Sequence, residues 1–169
     1  FERAREWGLS WDLELTCRTA AISRIAALEH PHRDKHFFLN VGPHIFSDHR
    51  FHDAFSRSAL RKLGINHDRI IVEITETTSV DDYDRFEELI RHYVAHGFRV
   101  ALDDFGAGHS GFVTLVAMTP HFIKLDRAII AGIESSSYKQ HLVKSVASFA
   151  SSVETSLIAE GVETGEELA

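Results

Sequence analysis

The stretch Arg99 to Phe112, RVALDDFGAGHSGF, sets two adjacent aspartates where an apolar run gives way to a glycine-rich segment. Taken alone, Asp103 and Asp104 followed by Gly106, Gly108 and Gly111 would read as a solvated turn, because Asp and Gly favour turns for conformational reasons. The run FRVALDD (98–104) in front of the glycines is strand-like. It has four counterparts: HFFLNV (36–41), RIIVEIT (69–75), HFIKLD (121–126) and TSLIAE (155–160). Between these runs, residues 47–64, 79–97 and 135–152 have helical spacing, and residues 6–30 read as a helix ahead of the first strand. Phe86, Leu89, Ile90 and Tyr93 recur at i, i+3, i+4 and i+7 and make one apolar face.

The ends of these helices carry their own signals. Ser79 with Asp82 resembles a capping box, and Gly64 and Gly97 stand where C-terminal cap glycines belong. Thr164 with Glu167 marks one more helix start near the end of the sequence. The alternation of strand and helix predicts an α/β fold with a parallel sheet. Strands as apolar as IIV and FIKL should be covered on both faces, as in barrels and doubly wound sheets. Five strands fall short of an eight-stranded barrel, which takes about 250 residues. The expectation is one domain over 1–169, an incomplete TIM-type (β/α) barrel cut at both ends.

Composition narrows the function classes. The chain has 169 residues, 44% hydrophobic and 25% charged, enough for a globular core. No apolar run reaches the roughly 18 residues of a membrane span. Cys17 is the only cysteine, so intrachain disulfides and cysteine zinc sites are excluded. The net charge of −7 disfavours long nucleic acid, whose binders display basic patches. A small phosphorylated ligand held through metal ions stays compatible with that acidity. The twelve histidines are read as isolated surface residues without the paired spacing of a metal site.

Every strand ends in a charged or metal-capable residue: Asn40, Glu73, Asp103 with Asp104, Lys124 with Asp126, and Glu160. In parallel α/β folds the carboxyl ends of the strands form the ligand-binding face. Any one of these residues could be a turn former or an edge charge, but the coincidence across five strands is costly unless they serve one site. Oxygen donors from Asn, Asp and Glu select hard cations such as magnesium, manganese or calcium. Adjacent aspartates suit two ions about 3.5–4 Å apart, one carboxylate bridging them while its neighbour binds the second.

These residues also carry a family resemblance. DDFGAGHSG resembles the DDFG motif of EAL domains, the cyclic di-GMP phosphodiesterases, and four other segments follow in the family's order: FLNVGP, VEITET, FIKLD and AEGVET. The resemblance implies that Asn40, Glu73, Asp103, Asp104 and Glu160 hold two magnesium or manganese ions, with calcium inhibitory. It implies that Lys124 touches the attacking water or the phosphate, and it counts Asp104 and Glu160 with Lys124 as the catalytic group. Glu163 and Asp126 would reach the site less directly, Glu76 would brace the DDFGAGHSG loop, and Gly106 and Gly108 would let that loop switch. The family places its name-giving E-x-L glutamate on a strand ahead of the first segment matched here, FLNVGP.

The implied function is hydrolysis of cyclic di-GMP to linear pGpG in bacterial second-messenger signalling. The alternative is a catalytically inactive domain that acts as a cyclic di-GMP receptor or a protein-interaction module. The resemblance further implies a homodimer that is cytoplasmic, either by itself or as the cytoplasmic part of a membrane-anchored protein, with GGDEF or sensor domains in the parent protein.

Overall fold

The structure, a computed structural model, describes residues 2–42, 57–75, 83–108, 115 and 119–168. The chain divides into two compact units, Phe1–Glu73 with Asp84–Arg99, and Ile74–Tyr83 with Val100–Ala169. In the first, helices α1 (Glu2–Glu6) and α2 (Ser10–Ala26) precede strand β1 (Phe37–Asn40), helix α3 (Arg57–Lys62), strand β2 (Ile70–Thr75) and helix α4 (Tyr83–Ala95). The second contains β3 (Arg99–Phe105), β4 (Phe122–Leu125), α5 (Arg127–Ile130), α6 (Ser137–Ser152), β5 (Ser156–Ala159) and α7 (Gly165–Leu168).

All five expected strands form within a residue or two of their predicted bounds, and each pairing inside a unit is parallel. β1 runs beside β2 with Asn40 opposite Glu73. In the second unit β4 lies between β3 and β5. The most apolar strands are the most buried, since Ile70, Ile71, Val72, Ile74, Val100, Ala101, Leu102 and Ile123 are fully enclosed. That is the two-sided cover expected of strands without polar alternation. β1 and β5 are only partly covered along their length.

The predicted N-terminal helix over 6–30 is corrected. It breaks at Trp7–Leu9 into α1 and α2, with Gly8 at φ +68° between them, and α2 stops at Ala26. The capping-box reading at Ser79 and Asp82 and the start of the 47–64 helix lie outside the described residues.

Gly97 ends α4 as the sequence suggested. Its N–H donates to the Val94 carbonyl at 2.8 Å while Phe98 N–H donates to Tyr93 at 3.0 Å, the paired bonds of a left-handed helix cap. Its φ of +76° is a left-handed backbone that favours glycine, and the flexible end of the Arg57 side chain lies beside it. Behind this cap, Tyr93 is 2% exposed on the core face of α4, and burial pushes its hydroxyl pKa far up. The same unit buries an ion pair inside α2, where the Arg18 guanidinium donates to Glu14 Oε1 at 2.5 Å. The same carboxylate oxygen accepts the Gly42 N–H at 3.1 Å just after β1.

Candidate metal centre

The paired aspartates owe their arrangement to an irregularity in β3. Leu102 aligns with Ile123, but Phe105 aligns with Leu125, so Asp103 and Asp104 together stand opposite Lys124. This two-against-one arrangement is a β-bulge. Successive residues of a regular strand face opposite sides of the sheet, which would separate the two carboxylates. Here Asp104 takes φ +54°, a left-handed backbone that Asp tolerates better than most residues, and the alternation is broken. The turn closes with Ala107 N–H donating to the Asp104 carbonyl at 3.0 Å. Gly106 follows at φ +98°, where a β-carbon would collide with Ile129 of α5. Gly108 stands half-buried at the end of the described loop, and Gly111 lies outside the described residues.

Neighbouring strands hold the bulge in place. Asp126 N–H donates to the Phe105 carbonyl at 3.1 Å, and Glu160 N–H donates to the Leu125 carbonyl at 3.1 Å, so the three strand ends stay tied where the carboxylates emerge. One oxygen from each of Asp103, Asp104 and Glu160 falls within 4.8 Å of the others. The Lys124 ammonium lies between two of them, 2.8 Å from Asp103 Oδ1 and 2.6 Å from Glu160 Oε1. Asp103 is buried, whereas Asp104 and Glu160 are half-exposed and open to a ligand.

Three carboxylates against one ammonium leave the group net negative. Burial raises the Asp104 pKa, and the Asp103, Asp126 and Glu160 carboxylates raise it further against the opposing pull of Lys124. A cation in their midst would relieve that repulsion. The donor set therefore fits a hard divalent ion, with all-oxygen ligands and excess negative charge.

Other residues singled out from the sequence have different surroundings. The Asp126 side chain caps α5 by accepting the Ala128 N–H at 2.7 Å, and Glu163 forms an exposed ion pair with Arg127 at 2.7 Å. Arg127 was not foreseen; its place directly after the K-x-D segment was the available signal. Glu167 is the predicted capping partner of Thr164, and it also accepts the N–H groups of Glu163 and Gly132 at 2.8 and 3.0 Å. Those bonds tie the loop after β5 to the turn before α6. In the first unit, Asn40 ends β1 exposed and Glu73 is buried at 4% exposure, paired in register. Glu76 lies outside the described residues.

The reading of the histidines as isolated is wrong at two places. His32 with His36 and His92 with His96 are each four residues apart, and the second pair lies at the carboxyl end of α4 with ring centres 4.2 Å apart.

Comparison with known proteins identifies relatives and solved structures similar to this chain. The Escherichia coli blue light- and temperature-regulated antirepressor BluF is 29% identical over 163 residues, 96% of this chain and 40% of BluF. The probable cyclic di-GMP phosphodiesterase PdeN of the same organism is 30% identical over 134 residues, 78% of this chain and 25% of PdeN. The chain thus spans less than half the length of either relative. Klebsiella pneumoniae BlrP1, solved with manganese and cyclic di-GMP, superposes with TM-score 0.83 at 30% identity, over 94% of this chain and 40% of BlrP1. Its calcium and cyclic di-GMP complex superposes with TM-score 0.78 at 29% identity, over 92% of this chain and 39% of that one. The fold is that of a TIM-type (β/α) barrel, of which these five strands form part. The EAL domain family matches residues 1–169, and the chain belongs to it.

Proposed function

We propose that the domain over 1–169 works as a cyclic di-GMP phosphodiesterase, hydrolysing one phosphodiester bond to give linear pGpG. The observation that carries this reading is the convergence of Asp103, Asp104 and Glu160 on the bulged end of β3 with Lys124 among them. Two magnesium or manganese ions are the proposed cofactors, with Asp103, Asp104 and Glu160 as their proposed ligands. When bound, such ions lower the pKa of water and offset charge that develops on the phosphoryl oxygens. Asp103 and Asp104 hold the acidic wall, and the bulge fixes both without rearrangement during the reaction. Lys124 presents its ammonium protons at the strand ends, where a phosphate oxygen or the attacking water can accept them. Glu160, half-exposed, can receive a proton from water, and Glu167 fixes the loop that carries it.

Within the same proposal the protein is a cytoplasmic homodimer whose parent chain carries GGDEF or sensor domains. Among the described residues no helix is long and apolar enough to cross a membrane. Calcium is proposed to bind and to support little hydrolysis. It takes bonds of about 2.3–2.6 Å against about 2.0–2.1 Å for magnesium, which misplaces the attacking oxygen.

A second reading, a receptor or protein-interaction module without turnover, is favoured by the likeness to the antirepressor BluF. Incubation with cyclic di-GMP and manganese, then with magnesium and with calcium, separates the two. Formation of pGpG with manganese and magnesium supports the enzyme. Binding of cyclic di-GMP without product supports the receptor, and absence of both sinks the two readings together.

A further inference from the structure

We infer that His92 and His96 form a second metal site, for borderline transition ions such as zinc, copper(II) or nickel rather than for the hard cations of the acidic centre. The pair lies on α4 and its cap in the first unit, and the inference does not depend on the proposed hydrolysis. Residues four apart on a helix lie one turn above each other on the same face. Two histidines at that spacing are a recurrent chelating arrangement.

The ring centres are 4.2 Å apart and the planes tilted by 35°. Two imidazoles bound through nitrogen at about 2.0–2.1 Å to one ion have centres about 4.5–5 Å apart, so a small side-chain rotation suffices. His96 is exposed and His92 half-exposed, leaving the outer face open to an ion and its waters.

A second observation concerns the tautomer. His96 Nδ1 lies 2.7 Å from the His92 carbonyl oxygen. A carbonyl can only accept, so Nδ1 carries the proton and the neutral ring directs its Nε2 lone pair outward. Backbone anchoring of one ring nitrogen to orient the other is the usual support of a histidine ligand. The negative end of the α4 dipole also favours a cation here. The Arg57 guanidinium over Gly97 opposes it. Glu88, exposed and one turn before His92, shares the stripe, but among the described residues only Asp103, Asp104 and Glu160 converge as a group of three. The site therefore has two protein ligands and completes its coordination with water.

The test uses the full chain with millimolar magnesium present to occupy the oxygen donors. Substoichiometric copper(II) should broaden the His92 and His96 ring resonances before those of His30, His67, His121 and His141. Zinc affinity should fall about tenfold or more in His96→Ala and in His92→Ala, and stay unchanged in a His32→Ala, His36→Ala double variant. Broadening that begins at other histidines overturns the site, as does unchanged zinc affinity in both single variants. The resonance measurement needs no variant, so a folding defect cannot disguise the result.

Discussion

The Glu14–Arg18 pair of the first unit and the carboxylate group of the second bury acidic side chains with opposite accounting. In the first, Glu14 and Arg18 form a one-to-one pair at 5% and 7% exposure, and Glu14 further accepts a backbone N–H. In the second, Asp103, Asp104 and Glu160 share one ammonium. A balanced buried pair is closed: each charge is compensated by the chain itself. An unbalanced group is tolerated at a strand end only where solvent or a bound cation supplies the missing charge. The difference distinguishes a structural ion pair from a binding centre, although both contain buried charge.

The comparison can be broken most severely at the closed pair. Arg18→Met should destabilise the protein by about 3–5 kcal/mol, because it strands the Glu14 carboxylate in a 5% exposed position. Replacing both partners together, Arg18→Met with Glu14→Leu, should recover much of the loss, as apolar substitutes of similar volume often do. Urea denaturation of the two variants checks this. Stability of the single variant within 1 kcal/mol of the parent would mean that the pair is solvated after all.

At the open group the sign should reverse. Asp104→Asn removes one of the repelling carboxylates and places at φ +54° a residue that accepts the left-handed region readily. With chelator present at neutral pH it should stabilise the protein slightly, because solvent screens the repulsion at a half-exposed carboxylate. Because the folded-state pKa of Asp104 is raised, the penalty it relieves grows as pH rises through the ordinary carboxylate range and is absent at acid pH. The gain should therefore vanish in acid. With manganese the order should invert, since the variant loses a ligand. A variant less stable than the parent in chelator at pH 7 contradicts the idea that repulsion is stored there.

Asp103→Asn extends the test from stability to binding. Asp103 shares the Lys124 ammonium with Glu160, and it is the most buried of the three. Its loss should weaken manganese binding on the order of 10–100-fold and abolish pGpG formation. Calorimetric titration with manganese measures the first, and unchanged affinity would remove Asp103 from the ligand set.

Much of the fold was legible because short apolar runs and helix caps report local physics. Residues 70–75 and 122–125 have few options other than buried strands, and Gly97 could only end a helix. The cluster of Asp103, Asp104, Lys124 and Glu160 was legible for the same reason, since charge at the end of an apolar strand is conspicuous. Its geometry was not. Parity alone would send Asp103 and Asp104 to opposite faces, and the bulge that unites them is visible only in the register against β4. Glu14 and Arg18 were passed over because an i, i+4 pair of opposite charges resembles any solvated helix face. What distinguishes this pair is packing, which no local pattern records. The spacing of His92 and His96 was readable and was misread.

The smallest effect concerns the loop that carries Glu160 and Glu163. Glu167 Oε1 accepts the Gly132 N–H, and Oε2 accepts those of Glu163 and Thr164. These backbone donors hold its carboxyl below the usual range, the Glu163 N–H contributing most. A depressed folded-state pKa gives stabilisation that is complete above the unfolded value and lost as pH falls through the folded one. Amide exchange at Gly132, Glu163 and Thr164 should therefore be slow at pH 6 relative to intrinsic rates and lose protection toward pH 3. Glu167→Gln should lower protection already at pH 6, because an amide offers one acceptor oxygen where the carboxylate offers two. Its residual protection should depend on pH less than that of the parent. Equal protection in both proteins across that range would show that the capping hydroxyl of Thr164, which accepts the Glu167 N–H at 3.2 Å, orders the loop without the carboxylate.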